Sequence, residues 1–436
     1  MRKLLAALLS AAVFALPTAG AAAPASGIRP APSLRTLFSP AAVSGNLSGG
    51  FTFGAKKSGR QRALSSADNA FFTLPNPLPS GAPGTILRWR DVTASFLGLP
   101  IVAHAYQYLY LTTDAHTQPT ASFGTILVPV TAPASGRVLL SYQTAEDGLT
   151  TTCAPSHELL QGSSDETPLF GLGLTAGYDV LLSDYEGPYS EWTVGVNAGH
   201  EALDAIRAAT HFAPAGLNAS TRTILWGYSG GALATGWASE LKAGYAPELN
   251  VIGAAMGGYP VDVHDIAQKV DGGLFSGIEF GGVVGQLRGY PEYGVINYFN
   301  AAGLQMLATV GQECTGQFLT LTPDPLSGYP YQTLATYTTV ADPLGLPATA
   351  ALLANDNLGG NPPTFPVYIY QGEQDELVPY ADVTAVAAKY CAAGTPTEYV
   401  LSPIDDHFSL VVSGAPAAFA YLTSRVAGLT APSNCS

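Results

Sequence analysis

The sequence predicts an α/β fold in which a doubly wound, mostly parallel sheet carries an inserted, mainly helical cap. Three observations support this prediction. Short, near-continuous apolar runs recur along the chain, helical patterns separate several of them, and residues 263–362 interrupt the alternation. Strands that alternate with helices favour a parallel sheet, because each crossover places a helix against a face of the sheet.

Apolar runs mark the predicted strands. Runs of this kind are typical of parallel strands that are buried on both faces. The clearest runs are Arg137–Tyr142, Asp179–Ser183, Thr223–Trp226, Val251–Met256 and Val367–Tyr370. Two earlier segments, Ala105–Thr112 and Phe123–Val130, alternate apolar and polar residues and predict an antiparallel ribbon. His200–His211 and Ala232–Ala243 have the residue spacing of helices.

The interruption at residues 263–362 is rich in glycine and in apolar residues. It is too long for an ordinary connection between two strands. We therefore predict an inserted cap, which divides the core into residues 67–262 and 363–436.

The N-terminus predicts export. Arg2 and Lys3 precede an apolar run of signal-peptide length, and the small residues Ala21–Ala23 offer a cleavage site. We predict a signal peptide at residues 1–25, followed by a segment at residues 26–66 that is rich in Pro, Ala, Gly and Ser. The mature protein is then expected outside the cytoplasm, either extracellular or periplasmic.

Composition and charge exclude two classes of protein. The 436 residues are 47% hydrophobic and only 11% charged, which is too apolar for an intrinsically disordered chain. Asp and Glu total 32 against 18 Lys and Arg, which gives a net charge of −14. A chain of this sign repels phosphate backbones, so no nucleic-acid partner is expected.

The four cysteines, Cys153, Cys314, Cys391 and Cys435, predict two disulfides in an oxidising compartment. Three pairings are possible. Proximity in the sequence favours Cys391 with Cys435, which leaves Cys153 with Cys314. No two cysteines have the spacing of a zinc site, so we expect no metal.

A G-x-S-x-G motif gives the first candidate for chemistry. Gly227–Gly231 reads GYSGG, with a predicted strand directly before it and a predicted helix directly after it. The motif alone is a weak signal. Its setting strengthens it, because a tight strand-to-helix turn lifts a serine hydroxyl above the edge of a sheet. This context predicts Ser229 as a nucleophile.

A nucleophilic serine needs a base, and the base needs a group that orients it. For a serine in this setting, the acid and then the histidine follow it in the chain. Only His264 and His407 follow Ser229. His264 lies at the entrance to the cap and has no obvious partner. His407 lies in a loop between the last predicted strand and the closing helix Ala415–Val426, so we predict it as the base.

The position of Asp375 after a buried run predicts it as the acid, because that run ends at the same sheet edge as the serine. Glu373 and Glu376 are rivals in the same segment, and Asp405 and Asp406 are rivals beside the histidine. Adjacent residues seldom orient an imidazole well, which disfavours the last two.

Attack by a serine also needs at least two donors for the tetrahedral oxygen. The backbone N–H of Gly230 is one candidate. The other is expected in the loop after the run Arg137–Tyr142, which contains Ala145, Glu146, Asp147 and Gly148. An acidic donor would be unusual unless its carboxyl group is protonated or the backbone donates.

Several blocks of the chain resemble the secretory lipase family, the α/β-hydrolases of the Candida lipase A type. The resemblance runs from about Asp68 to the C-terminus. The blocks are DNAFFTLPNPLPSGAPGTILRWRDV, SYQTAEDGLTTTCAPS, DVLLSDYEGP, GYSGG, GEQDELVP and DDHF. The resemblance implies an α/β-hydrolase fold and a triad of Ser229, Asp375 and His407. It also implies Asp147 and Gly230 at the oxyanion hole, with disulfides Cys153–Cys314 and Cys391–Cys435.

These expectations describe a secreted serine ester hydrolase that acts on fatty-acyl esters such as triacylglycerols through an acyl-enzyme. No cofactor is expected. We expect a monomer with transient contact to a lipid interface, and the apolar residues of the cap fit either plain core or the wall of an acyl pocket. The alternatives are a short-chain carboxylesterase or acyltransferase, a peptidase on the same fold, and a non-catalytic binding protein.

Overall fold

The computed structural model describes residues 64–145, 148–315 and 329–435. The predicted signal peptide and nearly all of the segment at residues 26–66 lie outside these ranges. Within them, one sheet contains nine strands. These are β1 (Ile86–Val92), β2 (Ala103–Thr113), β3 (Pro119–Pro129), β4 (Val138–Gln143), β5 (Asp179–Ser183), β6 (Arg222–Tyr228), β7 (Val251–Gly257), β8 (Val367–Gly372) and β9 (Thr397–Ser402).

The spatial order of the strands is β1-β2-β3-β5-β4-β6-β7-β8-β9. The first three strands pair antiparallel, and β3 also pairs antiparallel with β5. From β5 to β9 every pair of neighbours is parallel. The predicted doubly wound, mostly parallel sheet is therefore confirmed, and the parallel strands end at one common edge.

Helices cover both faces of the sheet. Their bounds are α1 (Ser66–Phe71), α2 (Pro155–Gln161), α3 (Thr167–Thr175), α4 (Gly195–Thr210), α5 (Gly230–Tyr245), α6 (Val263–Val270), α7 (Gly277–Gly289), α8 (Ala301–Val310), α9 (Pro347–Leu353), α10 (Tyr380–Ala392), α11 (His407–Ser413) and α12 (Ala415–Val426). Strand β6 shows how the core divides. Leu225 belongs to the core under α4 and α5, whereas Ile224 and Trp226 point to the opposite face, under α3 and α12.

The segment between β7 and β8, which we call the insertion, contains helices α6 to α9. The described part of it contributes no strand to the sheet. Large apolar side chains such as Phe280 and Leu307 are fully buried there and form core. An apolar cavity of about 30 Å³ lies among the helices.

The insertion is tied to the core by a disulfide and by a buried arginine. Cys153, which follows β4, is bonded to Cys314, which follows α8. Arg288 of α7 is fully buried and donates to the carbonyl oxygens of Leu149, Ser190 and Gly311. Burial lowers the pKa of Arg288 to about 9, so the guanidinium stays charged at neutral pH.

A second disulfide, Cys391–Cys435, joins the end of α10 to the C-terminal tail. Both disulfides have the partners that the sequence suggests. Among the residues described, no helix combines the length and the apolar character needed to cross a membrane.

Candidate active site

Ser229 lies in a sharp turn between the last residue of β6 and the first residue of α5. Its φ is +53° and its ψ is −124°, in a region that non-glycine residues rarely adopt. Two glycines make this turn possible. A Cβ on Gly227 would lie 2.0 Å from the carbonyl oxygen of Gly231, and a Cβ on Gly231 would lie 2.1 Å from that of Gln143. The turn has the strand-turn-helix form of a nucleophile elbow.

The structure brings Ser229, His407 and Asp375 together in one line of hydrogen bonds. His407 Nε2 lies 2.8 Å from Ser229 Oγ, and His407 Nδ1 lies 2.8 Å from Asp375 Oδ2. Ser229 and His407 are each 1% exposed and Asp375 is 4% exposed. Water therefore has almost no access to these two bonds, which strengthens their electrostatic component.

Asp375 follows β8 and is held by its own turn. Its Oδ1 accepts from the backbone N–H groups of Leu377, at 2.9 Å, and Val378, at 2.7 Å. Its Oδ2 accepts from Gln371 Nε2, at 2.8 Å. All three groups donate to the carboxylate, which acts only as an acceptor. The hydrogen on His407 then belongs on Nδ1, and Nε2 is free to accept the Ser229 hydroxyl proton.

The prediction for the local structure of His407 was wrong. We expected a loop residue, but His407 is the first residue of the short helix α11. Asp406 is the N-cap of this helix, and its side chain accepts from the backbone N–H of Ser409. The helix begins here because this capping interaction satisfies a donor that the first turn leaves unpaired.

The backbone of His407 is held on both sides. Its N–H donates to Glu376 Oε2 at 2.9 Å, and its carbonyl oxygen accepts from the Tyr228 hydroxyl at 2.6 Å. Glu376, a rival for the acid, thus contacts the histidine backbone and not its ring nitrogens. Asp405, another rival, accepts from the hydroxyl of Ser402.

The other predicted histidine has different surroundings. His264 lies on α6, where its ring contacts the Asp265 carboxylate and the backbone oxygen of Leu344. Glu373, the remaining rival acid, is exposed.

The predicted oxyanion hole is described in part. Gly230 is the first residue of α5, so its N–H is one of those that a helix N-terminus leaves without an intrahelical partner. Asp147 lies outside the described residues. Ala145, just upstream, donates its N–H to Glu166 Oε1 at 2.6 Å, so this amide is already engaged.

Glu166 was not predicted, and no spacing or motif in the sequence signals it. Its other oxygen accepts from the hydroxyl of Tyr142 on β4, at 2.5 Å. Burial raises the pKa of Glu166 to about 7. A single carboxyl group therefore anchors the loop after β4 at the point where that loop leaves the sheet.

Lys269 of α6 was also missed, because only the fold brings it near the acid. Its Nζ donates to the backbone oxygen of Asp375 at 2.7 Å. The insertion thus contacts the acid directly. Within the ranges that the structure describes, no group of three or more His, Cys, Asp or Glu side chains could bind a metal ion.

Comparison with known proteins identifies the family. Residues 163–434 match the family model described as secretory lipase. The chain belongs to the secretory lipase family. The solved structure of Candida antarctica lipase A in its closed state is 29% identical, with a TM-score of 0.77 over 86% of this chain and 89% of that one. The fold is accordingly that of an α/β-hydrolase, and the protein is a carboxylic ester hydrolase.

Two relatives show the range of names in the family. A protein of Mycobacterium tuberculosis named a probable inactive lipase is 33% identical, over 84% of each chain. A secreted triacylglycerol lipase of Malassezia furfur is 32% identical, over 84% of this chain and 77% of its own. The names of these two relatives differ in the activity that they state.

Proposed function

We propose that this enzyme is an active, secreted lipase that hydrolyses fatty-acyl esters, triacylglycerols among them, through Ser229, His407 and Asp375. The observation that carries the proposal is the pair of 2.8 Å contacts that join Ser229 Oγ to the ring of His407 and the ring to Asp375. A line of hydrogen bonds of this form makes a serine hydroxyl nucleophilic at neutral pH, because the base already faces the hydroxyl proton.

In the first half of the reaction, Ser229 Oγ attacks the ester carbonyl carbon while His407 Nε2 accepts the hydroxyl proton. Asp375 stabilises the imidazolium that forms and keeps its ring in place. When the tetrahedral intermediate collapses, the bond to the alcohol breaks and the imidazolium gives its proton to the leaving oxygen. The result is an acyl-serine and a free alcohol.

In the second half, water takes the place of the alcohol. His407 accepts a proton from the water as the water oxygen attacks the acyl carbon. When the second tetrahedral intermediate collapses, the bond to Ser229 Oγ breaks and the imidazolium returns its proton to Oγ, which releases the fatty acid and restores both Ser229 and neutral His407. We assign the Gly230 N–H and Asp147 to the oxyanion in both halves. A preorganised donor of this kind contributes about 3 kcal/mol to transition-state stabilisation.

The name of the Malassezia furfur relative, a secreted triacylglycerol lipase, supports both the lipid substrate and the location outside the cell. The two disulfides also suit an oxidising compartment. Mass spectrometry of the protein from culture medium tests this location. We expect a mature N-terminus near residue 25, and a full-length chain retained in the cytoplasm would contradict it.

The decisive test compares Ser229→Ala with Ser220→Ala, a control at an exposed serine. We expect the wild type and the control to hydrolyse p-nitrophenyl palmitate and triacylglycerol emulsions, and both to be labelled by a fluorophosphonate. Ser229→Ala should fold, resist labelling and lose ester hydrolysis.

Hydrolysis that persists in Ser229→Ala would refute the triad. An unlabelled, inactive wild type would favour a non-catalytic protein. Preference for p-nitrophenyl acetate over the long-chain esters would replace the lipase proposal with a short-chain esterase, and preference for peptides would replace it with a peptidase.

A further inference from the structure

The base of the proposed reaction occupies an unfavourable place for a cation. His407 is the first residue of α11, and the N-terminus of a helix carries a partial positive charge. During each half-reaction the imidazole has to become imidazolium. The positive end of the helix opposes this step, and negative charge near His407 favours it.

Glu376 lies at this helix end. Its Oε2 accepts the backbone N–H of His407 at 2.9 Å, and this N–H is one of the unpaired donors of the first helical turn. Glu376 directly follows Asp375 in the chain. The Oδ2 atom of Asp375 lies 2.8 Å from His407 Nδ1. Two successive carboxylates of one turn therefore contact the same histidine. Asp375 contacts the ring of His407, and Glu376 accepts from its backbone N–H.

The opposite side of the His407 backbone is held by a neutral group. The hydroxyl of Tyr228 donates to the His407 carbonyl oxygen at 2.6 Å. Burial, followed by the charge of Asp375, raises the pKa of Tyr228 well above its usual value, so the phenol stays protonated and remains a donor. The amide contact is therefore made by a carboxylate and the carbonyl contact by a hydroxyl.

We propose that Glu376 is a positioning residue for this hydrolase: it fixes the backbone of His407 and its negative charge stabilises the imidazolium form of the ring. The proposal rests on the function proposed above. It gives a role to a carboxylate that the sequence could present only as a rival of Asp375.

Other charges face His407 and act in the same or the opposite direction. Asp406 caps α11 and Asp405 precedes it, and both are negative. Asp375 faces the ring itself. On the insertion side, Lys269 donates to the Asp375 carbonyl oxygen and brings a positive charge into contact with this turn. Of these acids, Glu376 is the one whose carboxylate accepts the His407 amide hydrogen.

Two substitutions separate the two parts of the role. Glu376→Gln keeps an oxygen that can accept the His407 N–H but removes the charge, whereas Glu376→Ala removes both. Glu373→Gln is the matched control, because it removes one negative charge from an exposed position of the same turn. Each variant is titrated with a fluorophosphonate, so that rates are given for each reactive serine, and the pH dependence of kcat/KM is measured with a soluble p-nitrophenyl ester.

Loss of a nearby negative charge destabilises the imidazolium, so the pKa of His407 should fall. For Glu376→Gln we expect the acid limb of kcat/KM to move to lower pH by about half a unit, with kcat at the plateau reduced only about twofold. For Glu376→Ala we expect the same shift and a fall in kcat of about tenfold, with KM changed less than about twofold. Glu373→Gln should match the wild type in both measurements.

An acid limb that stays in place in both Glu376 variants, or moves to higher pH, would overturn the proposal. A purely structural role would lower the melting temperature or the fraction of labelled serine, yet leave the rate for each reactive serine and the acid limb as in the control. If Glu376→Ala does not fold, NMR titration of the His407 ring in Glu376→Gln decides alone, and an unchanged pKa refutes the role.

The outcome also separates the two proposals. An unreactive wild-type Ser229 would overturn the proposed function and the role of Glu376 together. A reactive wild type, an inactive Ser229→Ala and Glu376 variants that behave like Glu373→Gln would overturn only the role of Glu376.

Discussion

Asp375→Asn tests the hydrogen-bond line of the site most severely. In the structure, Asp375 Oδ1 accepts from two backbone N–H groups, those of Leu377 and Val378. The asparagine carbonyl oxygen has to take that place, which turns the NH2 group toward His407 Nδ1. Two donors cannot face each other, so Nδ1 must become the acceptor and the ring hydrogen moves to Nε2.

A histidine in that tautomer points its hydrogen at Ser229 Oγ and cannot accept the serine proton. We expect kcat to fall by about 10⁴-fold, which corresponds to about 5.5 kcal/mol of activation free energy. The same NH2 group meets Gln371 Nε2, and Gln371 cannot simply flip, because its oxygen accepts from the N–H of Tyr259. We therefore also expect a loss of about 1–3 kcal/mol in the free energy of unfolding.

The assay is p-nitrophenyl ester hydrolysis at neutral pH, corrected for the fraction of folded protein, with urea unfolding in parallel. Asp405→Asn is the control, because it changes a carboxylate close to His407 in sequence that contacts Ser402 and not the ring. We expect it to retain activity within a few-fold. A loss below about tenfold in Asp375→Asn, or an equal loss in Asp405→Asn, would refute the assigned orientation of His407.

Three further predictions follow from the contacts of the loop after β4 and of the insertion. Gly231→Ala places a methyl group against two backbone oxygens, at 2.1 and 2.6 Å, and should cost at least about 2 kcal/mol in urea unfolding; an unchanged midpoint would contradict this close packing. The double variant Cys153→Ala, Cys314→Ala opens a loop with a sequence separation of 161 and should lose up to about 5 kcal/mol of unfolding free energy. The double variant Cys391→Ala, Cys435→Ala opens a shorter loop and should lose about 4 kcal/mol; calorimetry of the two double variants checks this order. Between pH 4.5 and about pH 7, folded Glu166 still holds a proton that the unfolded chain has released, so the unfolding free energy of the wild type should fall as the pH rises. Glu166→Gln cannot release this proton, so its unfolding free energy should fall less over the same range; parallel slopes would refute the raised pKa.

Much of the fold follows from local patterns in the sequence. The run Arg137–Tyr142 corresponds to β4 at Val138–Gln143, and the predicted closing helix has the observed bounds of α12. A strand buried on both faces is apolar at most of its positions, which leaves a near-continuous apolar run in the sequence. The order of the strands was not predictable in this way, because the placement of β5 between β3 and β4 depends on crossovers that leave no local pattern.

The residues of the candidate site also differ in whether the sequence could predict them. Ser229, Asp375 and His407 could be named because strand ends and chain order restrict the choice, although their roles remain predictions. The helical start at His407 left a readable signal, since Asp406 and Ser409 have the spacing of a capping pair. Glu166 and Lys269 left none, because only the fold brings their partners to them. These partners are the Ala145 N–H and the Tyr142 hydroxyl for Glu166, and the Asp375 carbonyl oxygen for Lys269.

The attachments of the insertion restrict how it can move relative to the core. Ser229 is 1% exposed, so its hydroxyl has almost no contact with solvent. Besides its two chain ends, the insertion is attached to the core by the Cys153–Cys314 disulfide and by the hydrogen bond from Arg288 to the Leu149 carbonyl oxygen. It therefore cannot move away from the core as one rigid body while these attachments remain.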